Sequence, residues 1–325
     1  KKFSFAQQES FKLDHIAFIE LGERKLDYVE LGFETLDEFY KGDYQNYINY
    51  NIRDVELVDK LEDKLKFLEQ IYAIAYDGKC NYSDSFTSVR MWDIIIHNYL
   101  LSRGIVVPIV EKGAKDSQIV GAYVKDPQVG QHKWVVSFDL DSLYPHLIMQ
   151  YNLSPETKTA DGIRRMVTPD SFIKGSPLAI SEREKAVRRG VCLAANGTTY
   201  RRDVRGFLPE LMETMYKERK MYKEKMLDAK RRLKNEKNLS KEEEQKIKFD
   251  ISKYHNFQLV RKIQLNSAFG AVGNQYFRYY DLDLAEAITV SGQLSIRWIE
   301  NALNVFLNKT VGTSDVDYVI ASDTD

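Results

Sequence analysis

The sequence predicts a mixed α/β fold of the α+β kind, and three stretches carry that prediction. Trp134 to Phe138 is a short apolar, β-branched and aromatic run that reads as a buried strand and stops at a carboxylate, Asp139. From about Gly206, good helix formers run unbroken to about Lys234, pause at a polar tip and resume, which reads as two long antiparallel helices. A second apolar run, Val316 to Ala321, ends on Ser322-Asp-Thr-Asp325. There two carboxylates one residue apart can face one side of an extended backbone.

In chain order, Phe11 to Glu20 places apolar residues at Phe11, Leu13, Ile16, Ala17 and Ile19 and predicts a short amphipathic helix. Tyr44 to Leu68 predicts a longer one, on which Tyr50 and Asp54 lie four residues apart and share a face. A hydroxyl and a carboxylate so placed could hold a metal-bound water, although a surface Tyr/Asp pair is the commoner meaning. Val89 to Leu101 is again helical, and Gly113, Gly121, Pro127 and Gly130 mark loops and short strands ahead of Trp134. After Asp139, Pro145 stands where a helix can begin, before Leu147, Ile148 and Met149. In isolation Asp139 and Asp141 read equally well as turn or capping residues.

Thr157 to Thr199 reads as loop, with the pairs Arg164/Arg165 and Arg188/Arg189 as solvated surface. The first hairpin helix has Pro209 in its first turn and is basic through Lys217, Arg219, Lys220, Lys223, Lys225, Lys230, Arg231 and Arg232. Ser240 with Glu243 forms a capping box that starts the return helix. On that helix Lys262, Asn266 and Phe269 share one face, as Arg219 and Lys223 do on the outgoing one. If both faces look the same way, Arg219, Lys223, Lys262 and Asn266 form a cradle for a polyphosphate. A further amphipathic helix is predicted over Ala285 to Asn308.

The chain has 325 residues, enough for two or more cores, and its composition is that of a globular protein, 43% hydrophobic and 29% charged. A formal net charge of −1 offers no overall attraction to nucleic acid, so a polyanion site must be a local gathering of Lys and Arg. Cys80 and Cys192 have no zinc or disulfide spacing, which fits a reducing, intracellular setting. The apolar runs are too short or interrupted for a membrane span. A chain that starts on Lys1 and stops on Asp325 is expected to be a piece of a longer protein.

A strand-end Asp, a hairpin with a basic face and a strand-end Asp pair are together what nucleotidyl transfer needs. Carboxylates would hold two divalent ions at the attacking and leaving oxygens, and the hairpin would neutralise and align a triphosphate.

Asp139-Leu-Asp-Ser-Leu-Tyr-Pro145 resembles the first palm motif of the family B, alpha-like DNA polymerases. Lys262-Ile-Gln-Leu-Asn-Ser-Ala-Phe-Gly270 resembles their fingers motif, and Asp323-Thr-Asp325 their second palm carboxylate motif. Asn152-Leu-Ser-Pro-Glu-Thr157 and Phe277-Arg-Tyr-Tyr-Asp281 are similar to the branch found in T-even-type bacteriophages. Tyr50-Asn-Ile-Arg-Asp54 matches the last motif of the family's 3′-5′ exonuclease.

The resemblance implies a polymerase palm with an antiparallel sheet, helical-hairpin fingers and the C-terminal helical part of an exonuclease domain. It divides the chain into 1–66 (exonuclease tail), 67–110 (amino-terminal domain), 111–205 (palm), 206–274 (fingers) and 275–325 (palm, with the thumb absent). It implies that Asp139, Asp323 and Asp325 are catalytic metal ligands for two Mg²⁺ ions, replaceable by Mn²⁺. Arg219, Lys223, Lys262 and Asn266 would grip a dNTP, with help from the amides near Ser142 and Leu143. Tyr144 would lie under the sugar and Phe269 would flank the nascent pair. The implied partners are primer-template DNA and dNTPs, with a sliding clamp and other replisome proteins meeting regions outside this chain, and no membrane. The implied location is the cytoplasm of an infected bacterial host.

Three departures stand out: His146 replaces a Ser, Phe269 a Tyr, and Ala321-Ser322 a Tyr-Gly pair. A nucleic-acid-binding module without chemistry is the alternative, and it would not need the carboxylates. A nuclease built on Asp54 lacks partner carboxylates, because Glu56 shares its helix, so no proofreading is expected of this chain.

Overall fold

The computed structural model describes residues 8–109, 118–236 and 239–323, which fall into two compact units divided between Asp77 and Gly78. The first unit is helical: α1 (Leu13–Leu21), α2 (Leu36–Gly42), α3 (Tyr44–Leu65) and the start of α4 (Phe67–Gly78). Its helix starts follow from local chemistry. Thr35 and Glu38 close a reciprocal capping box on α2, and Asp43 accepts from the Asn46 amide to cap α3. The predicted helix to Leu68 breaks at Lys66, which takes the left-handed conformation and turns the chain into α4. Phe39 is fully buried, ringed by Tyr28, Phe33, Tyr47 and Tyr50 at centroid distances of 5.1 to 6.1 Å. Burying such a ring contributes about 1.5–3 kcal/mol.

The second unit begins with α5 (Ser88–Leu101), then α6 (Leu143–Tyr151), the short α7 (Pro169–Ile173) and α8 (Pro177–Arg189). A two-stranded antiparallel sheet follows, β1 (Val191–Leu193) and β2 (Thr199–Arg201), with Val191 opposite Arg201. The helical hairpin is α9 (Phe207–Asn235) and α10 (Lys241–Val272), and α11 (Leu282–Val311) closes the unit. The Ser240/Glu243 capping box forms as predicted. The two helices pack on each other, and Met212, Met215, Met226 and Ala229 of α9 and Ile247, Val260, Ile263 and Ala268 of α10 are buried. Fully buried Trp92 of α5 donates its indole N–H to Ser267 Oγ at 3.1 Å, which braces the base of α10.

The mixed α/β character stands, but the chain is mostly helical and its sheet lies elsewhere than predicted. Trp134 to Phe138 forms no regular element, has no ladder partner among the described residues and is exposed; Trp134 is 97% exposed and has a positive φ. Val316 to Ala321 likewise forms no strand, and among the described residues its neighbourhood pairs at the single bridge Lys125–Ser322, with Gln128 N–H donating to the Ile320 carbonyl. An apolar run becomes a strand only where another backbone supplies its hydrogen bonds; among the described residues the first run has no such partner and the second has only the short Lys125–Gln128 segment.

The stretch 157–199, expected to be loop, instead carries α7, α8 and β1. Its hairpin turn was written in Asn196-Gly197. Gly197 has φ +86°, and a Cβ there would meet the Ile163 carbonyl oxygen at 2.5 Å. Arg164 and Arg165 are exposed as expected, but each also pairs with a buried carboxylate. Arg164 pairs with buried Asp283, and Arg165 reaches Glu286, which is 1% exposed, through two contacts of 2.7 and 3.0 Å. With Lys158, which bridges Asp281 and Asp283 at 2.7 Å, they neutralise the buried first half of α11. The Arg188/Arg189 pair does end α8 at the surface, where Arg189 meets Asp161.

Candidate active site

Three elements of the second unit converge on the first turn of α6, because α9, α10 and α11 all pack against it. Ser142 precedes the helix in the left-handed conformation (φ 56°, ψ 50°), so the amides of Leu143 and Tyr144 open the helix without a side-chain cap. Helix-start amides lack partners within the helix, and the helix dipole favours an anion beside them. Pro145 follows in the first turn, where its missing N–H costs nothing. His146 anchors the turn, with its Nδ1 2.8 Å from the Ser142 carbonyl and its ring 4.6 Å from that of Tyr216.

Arg219 of α9 reaches this turn, its side chain only 11% exposed. One terminal nitrogen donates to Ser142 Oγ at 2.8 Å and to Asp141 Oδ1 at 3.2 Å, while its buried Nε has no hydrogen-bond partner among the described residues. Burial pushes the Asp141 carboxyl up, but the charge and hydrogen bond of Arg219, the Ser142 hydroxyl and the charge of Lys223 outweigh it. The net shift is below the usual carboxylate range. Lys223, exposed one turn further along α9, therefore acts on the same spot.

Across the hairpin, Arg261 of α10 meets Glu218 of α9 at 2.5 Å. Burial works against both charges, drawing the guanidinium down to about 10 and pushing the carboxyl up, while Arg261 also donates to Gln264 Oε1 at 2.9 Å. The pair sits one residue before Arg219 and one before Lys262, and so fixes the register of the two. Lys262 is half-buried, Asn266 is exposed one turn on, and Phe269 puts its ring 4.9 Å from that of Tyr144.

The sequence reading did not single out Tyr216, or Asp141 as the partner of Arg219; the recurring Asp139-x-Asp141 pattern was the available signal for the latter. Asp139 and Asp323 are exposed on extended segments, and Asp325 lies outside the described residues. Their carboxylates are the hard oxygen donors that divalent Mg or Ca ions prefer. Among the described residues, however, no three His, Cys, Asp or Glu side chains gather into a metal-sized group.

The first unit carries a separate constellation. Tyr50 and Asp54 do share a face of α3, and Lys25 reaches both, its Nζ 2.7 Å from the Tyr50 hydroxyl and 2.7 Å from Asp54 Oδ2. Burial pulls the Lys25 ammonium down, but its hydrogen bonds to Asp54 and Tyr50 raise it overall. Asp54 Oδ1 is buried without a hydrogen-bond partner among the described residues. Sequence spacing could not reveal Lys25, which lies 25 residues from Tyr50 on a different segment.

Among the described residues no helix is long and apolar enough to cross a membrane. Residues 85–324 match the sequence profile of DNA polymerase family B. Over its whole length the chain is 34% identical to the DNA-directed DNA polymerase of Escherichia phage RB69 and 32% identical to that of Enterobacteria phage T4, and it spans 38% of the length of each. A more distant relative, the DNA polymerase delta catalytic subunit of Drosophila melanogaster, is 24% identical over 97% of this chain and 27% of its own length.

Proposed function

This chain belongs to DNA polymerase family B, and from that membership we propose that it carries the nucleotide-binding and catalytic centre of a DNA-directed DNA polymerase. The reaction is template-directed transfer of a nucleotide from a dNTP to a primer 3′-OH. The observation that carries the reading is the convergence of Arg219 and the charge of Lys223 on the uncapped start of α6. A triphosphate set there meets a guanidinium, helix-start amides and a dipole of matching sign.

In this reading Arg219, Lys223, Lys262 and Asn266 hold the phosphates and align the α-phosphorus for in-line attack. The Leu143 and Tyr144 amides complete the cradle beside Ser142. The Tyr144 ring forms the wall under the sugar, and Phe269 flanks the forming base pair. Asp139, Asp323 and Asp325 would hold divalent ions, Mg²⁺ or Mn²⁺, whose chemistry is to lower the barrier at the attacking and leaving oxygens. The donor set supports that assignment by its chemistry, all carboxylate oxygen.

The chain is assigned to exonuclease tail, amino-terminal, palm and fingers segments on the family resemblance, with Tyr50 and Asp54 as an exonuclease remnant. Partners are primer-template DNA and dNTPs, with clamp and replisome proteins meeting segments outside this sequence. The phage relatives support action in the cytoplasm of an infected bacterium. The test is primer extension by the complete gene product with Mg²⁺. Template-dependent extension that Arg219→Ala and Asp139→Ala remove is the expected result. DNA binding without extension by the unaltered protein would overturn the reading.

A further inference from the structure

Gly292 lies in the buried half of α11, a place where glycine has no helical advantage and weakens the helix relative to alanine. A Cβ built on it would stand 3.0 Å from Tyr144 Cε1, with Tyr144 Cδ1 and Leu147 Cδ1 at 3.7 Å. Ordinary carbon–carbon contacts are about 3.5–4.0 Å, so the Tyr144 ring edge occupies room left by the missing side chain. Gly270, one residue past Phe269, has open space around its own Cβ position, so close approach is not general to the glycines here. Phe269 stands against the ring at 4.9 Å. The α11 backbone and one α10 side chain thus fix how deep the Tyr144 ring sits.

We propose that Gly292 is a specificity-determining position for the polymerase reaction: it sets the depth of the Tyr144 ring and, through it, the clearance at the 2′ position of the incoming sugar. The inference rests on the reading of Tyr144 as the wall under the sugar. Gly292 touches no substrate and acts by positioning. An alanine methyl moves the ring edge by a few tenths of an ångström off α11, toward the nucleotide, and a 2′-hydroxyl loses more from that shift than a 2′-hydrogen.

The test measures single-turnover incorporation of a deoxynucleotide and of the matching ribonucleotide by the complete gene product. Wild type, Gly292→Ala, Tyr144→Ala and the double variant are compared. A whole methylene in a pocket is worth roughly 10–200-fold, so this smaller shift should raise discrimination against the ribonucleotide about threefold to tenfold in Gly292→Ala. The change should fall in the apparent nucleotide affinity rather than in the maximal rate. In the Tyr144→Ala background the same substitution should leave the ratio unchanged, because the methyl then has nothing to push. Unchanged discrimination in Gly292→Ala, or an equal change with and without the Tyr144 ring, overturns the inference. Should Gly292→Ala not fold, the double variant must fold, since its clash has been removed; failure of both also overturns it. A Tyr144→Ala variant with wild-type sugar preference instead refutes the reading of Tyr144 itself, and the two failures are thereby told apart.

Discussion

Removing Arg219 tests the candidate cradle at its most specific point. The guanidinium is nearly buried and tied to Ser142 and Asp141, so Arg219→Ala takes away a charge-assisted donor to the triphosphate, worth about 1.5–3 kcal/mol. It also leaves Asp141 ionised and unpaired beside an incoming anion. Against the upward push of burial, Arg219 is the main cause holding the Asp141 carboxyl below its ordinary range, so the substitution removes most of that depression, but a largely exposed carboxyl stays ionised at neutral pH. Repulsion between two charges several ångströms apart in a wet site adds about 1 kcal/mol. Together these give about 2.5–4 kcal/mol, or roughly 70- to 900-fold in kcat/KM for the nucleotide. Because part of that loss comes from Asp141, Arg219→Ala/Asp141→Asn should recover roughly fivefold over Arg219→Ala alone. Single-turnover kinetics over a nucleotide titration measures both. A double variant no better than the single, or a single variant with wild-type nucleotide dependence, would refute the argument that Arg219 serves the substrate and holds Asp141.

Asp139→Ala or Asp323→Ala should leave the circular dichroism melt unchanged yet abolish Mg²⁺-dependent primer extension, and near-normal extension would remove either residue from the metal site. Lys262→Ala should weaken nucleotide use about tenfold or more, read from the nucleotide concentration dependence, with the melting temperature held. Gly197→Ala should destabilise the second unit by about 2 kcal/mol or more in urea, because the side chain meets both a left-handed φ and the Ile163 carbonyl; a neutral effect would contradict the hairpin geometry. Lys25 has a raised folded pKa, so its stabilising contribution is complete below about pH 10.5 and is lost as pH rises through the higher folded value. Lys25→Met should therefore be less stable than wild type at pH 7, with the gap narrowing as pH rises beyond about 10.5; a gap that does not narrow would show that the ion pair to Asp54 is not its source.

Local sequence determined the helices and their starts. The Thr35/Glu38 and Ser240/Glu243 boxes, the basic run on α9 and the shared face of Lys262, Asn266 and Phe269 all depend on residues three to seven apart, and helical hydrogen bonds are closed within that span. The motifs that placed the chain among the family B polymerases were legible in the same way. Where partners lie far apart in sequence, only the tertiary structure decided the outcome. It chose Val191–Leu193 and Thr199–Arg201 as the sheet while Trp134 to Phe138 found no partner among the described residues, because a strand exists only with a second backbone beside it. It also made the exposed Arg164 and Arg165 counter-charges for Asp283 and Glu286, since burying those carboxylates on α11 demands them. Arg219 on Asp141, Lys25 between Tyr50 and Asp54, and Gly292 behind Tyr144 are contacts across 78, 25 to 29, and 148 residues of chain respectively, set by how helices pack and invisible to spacing.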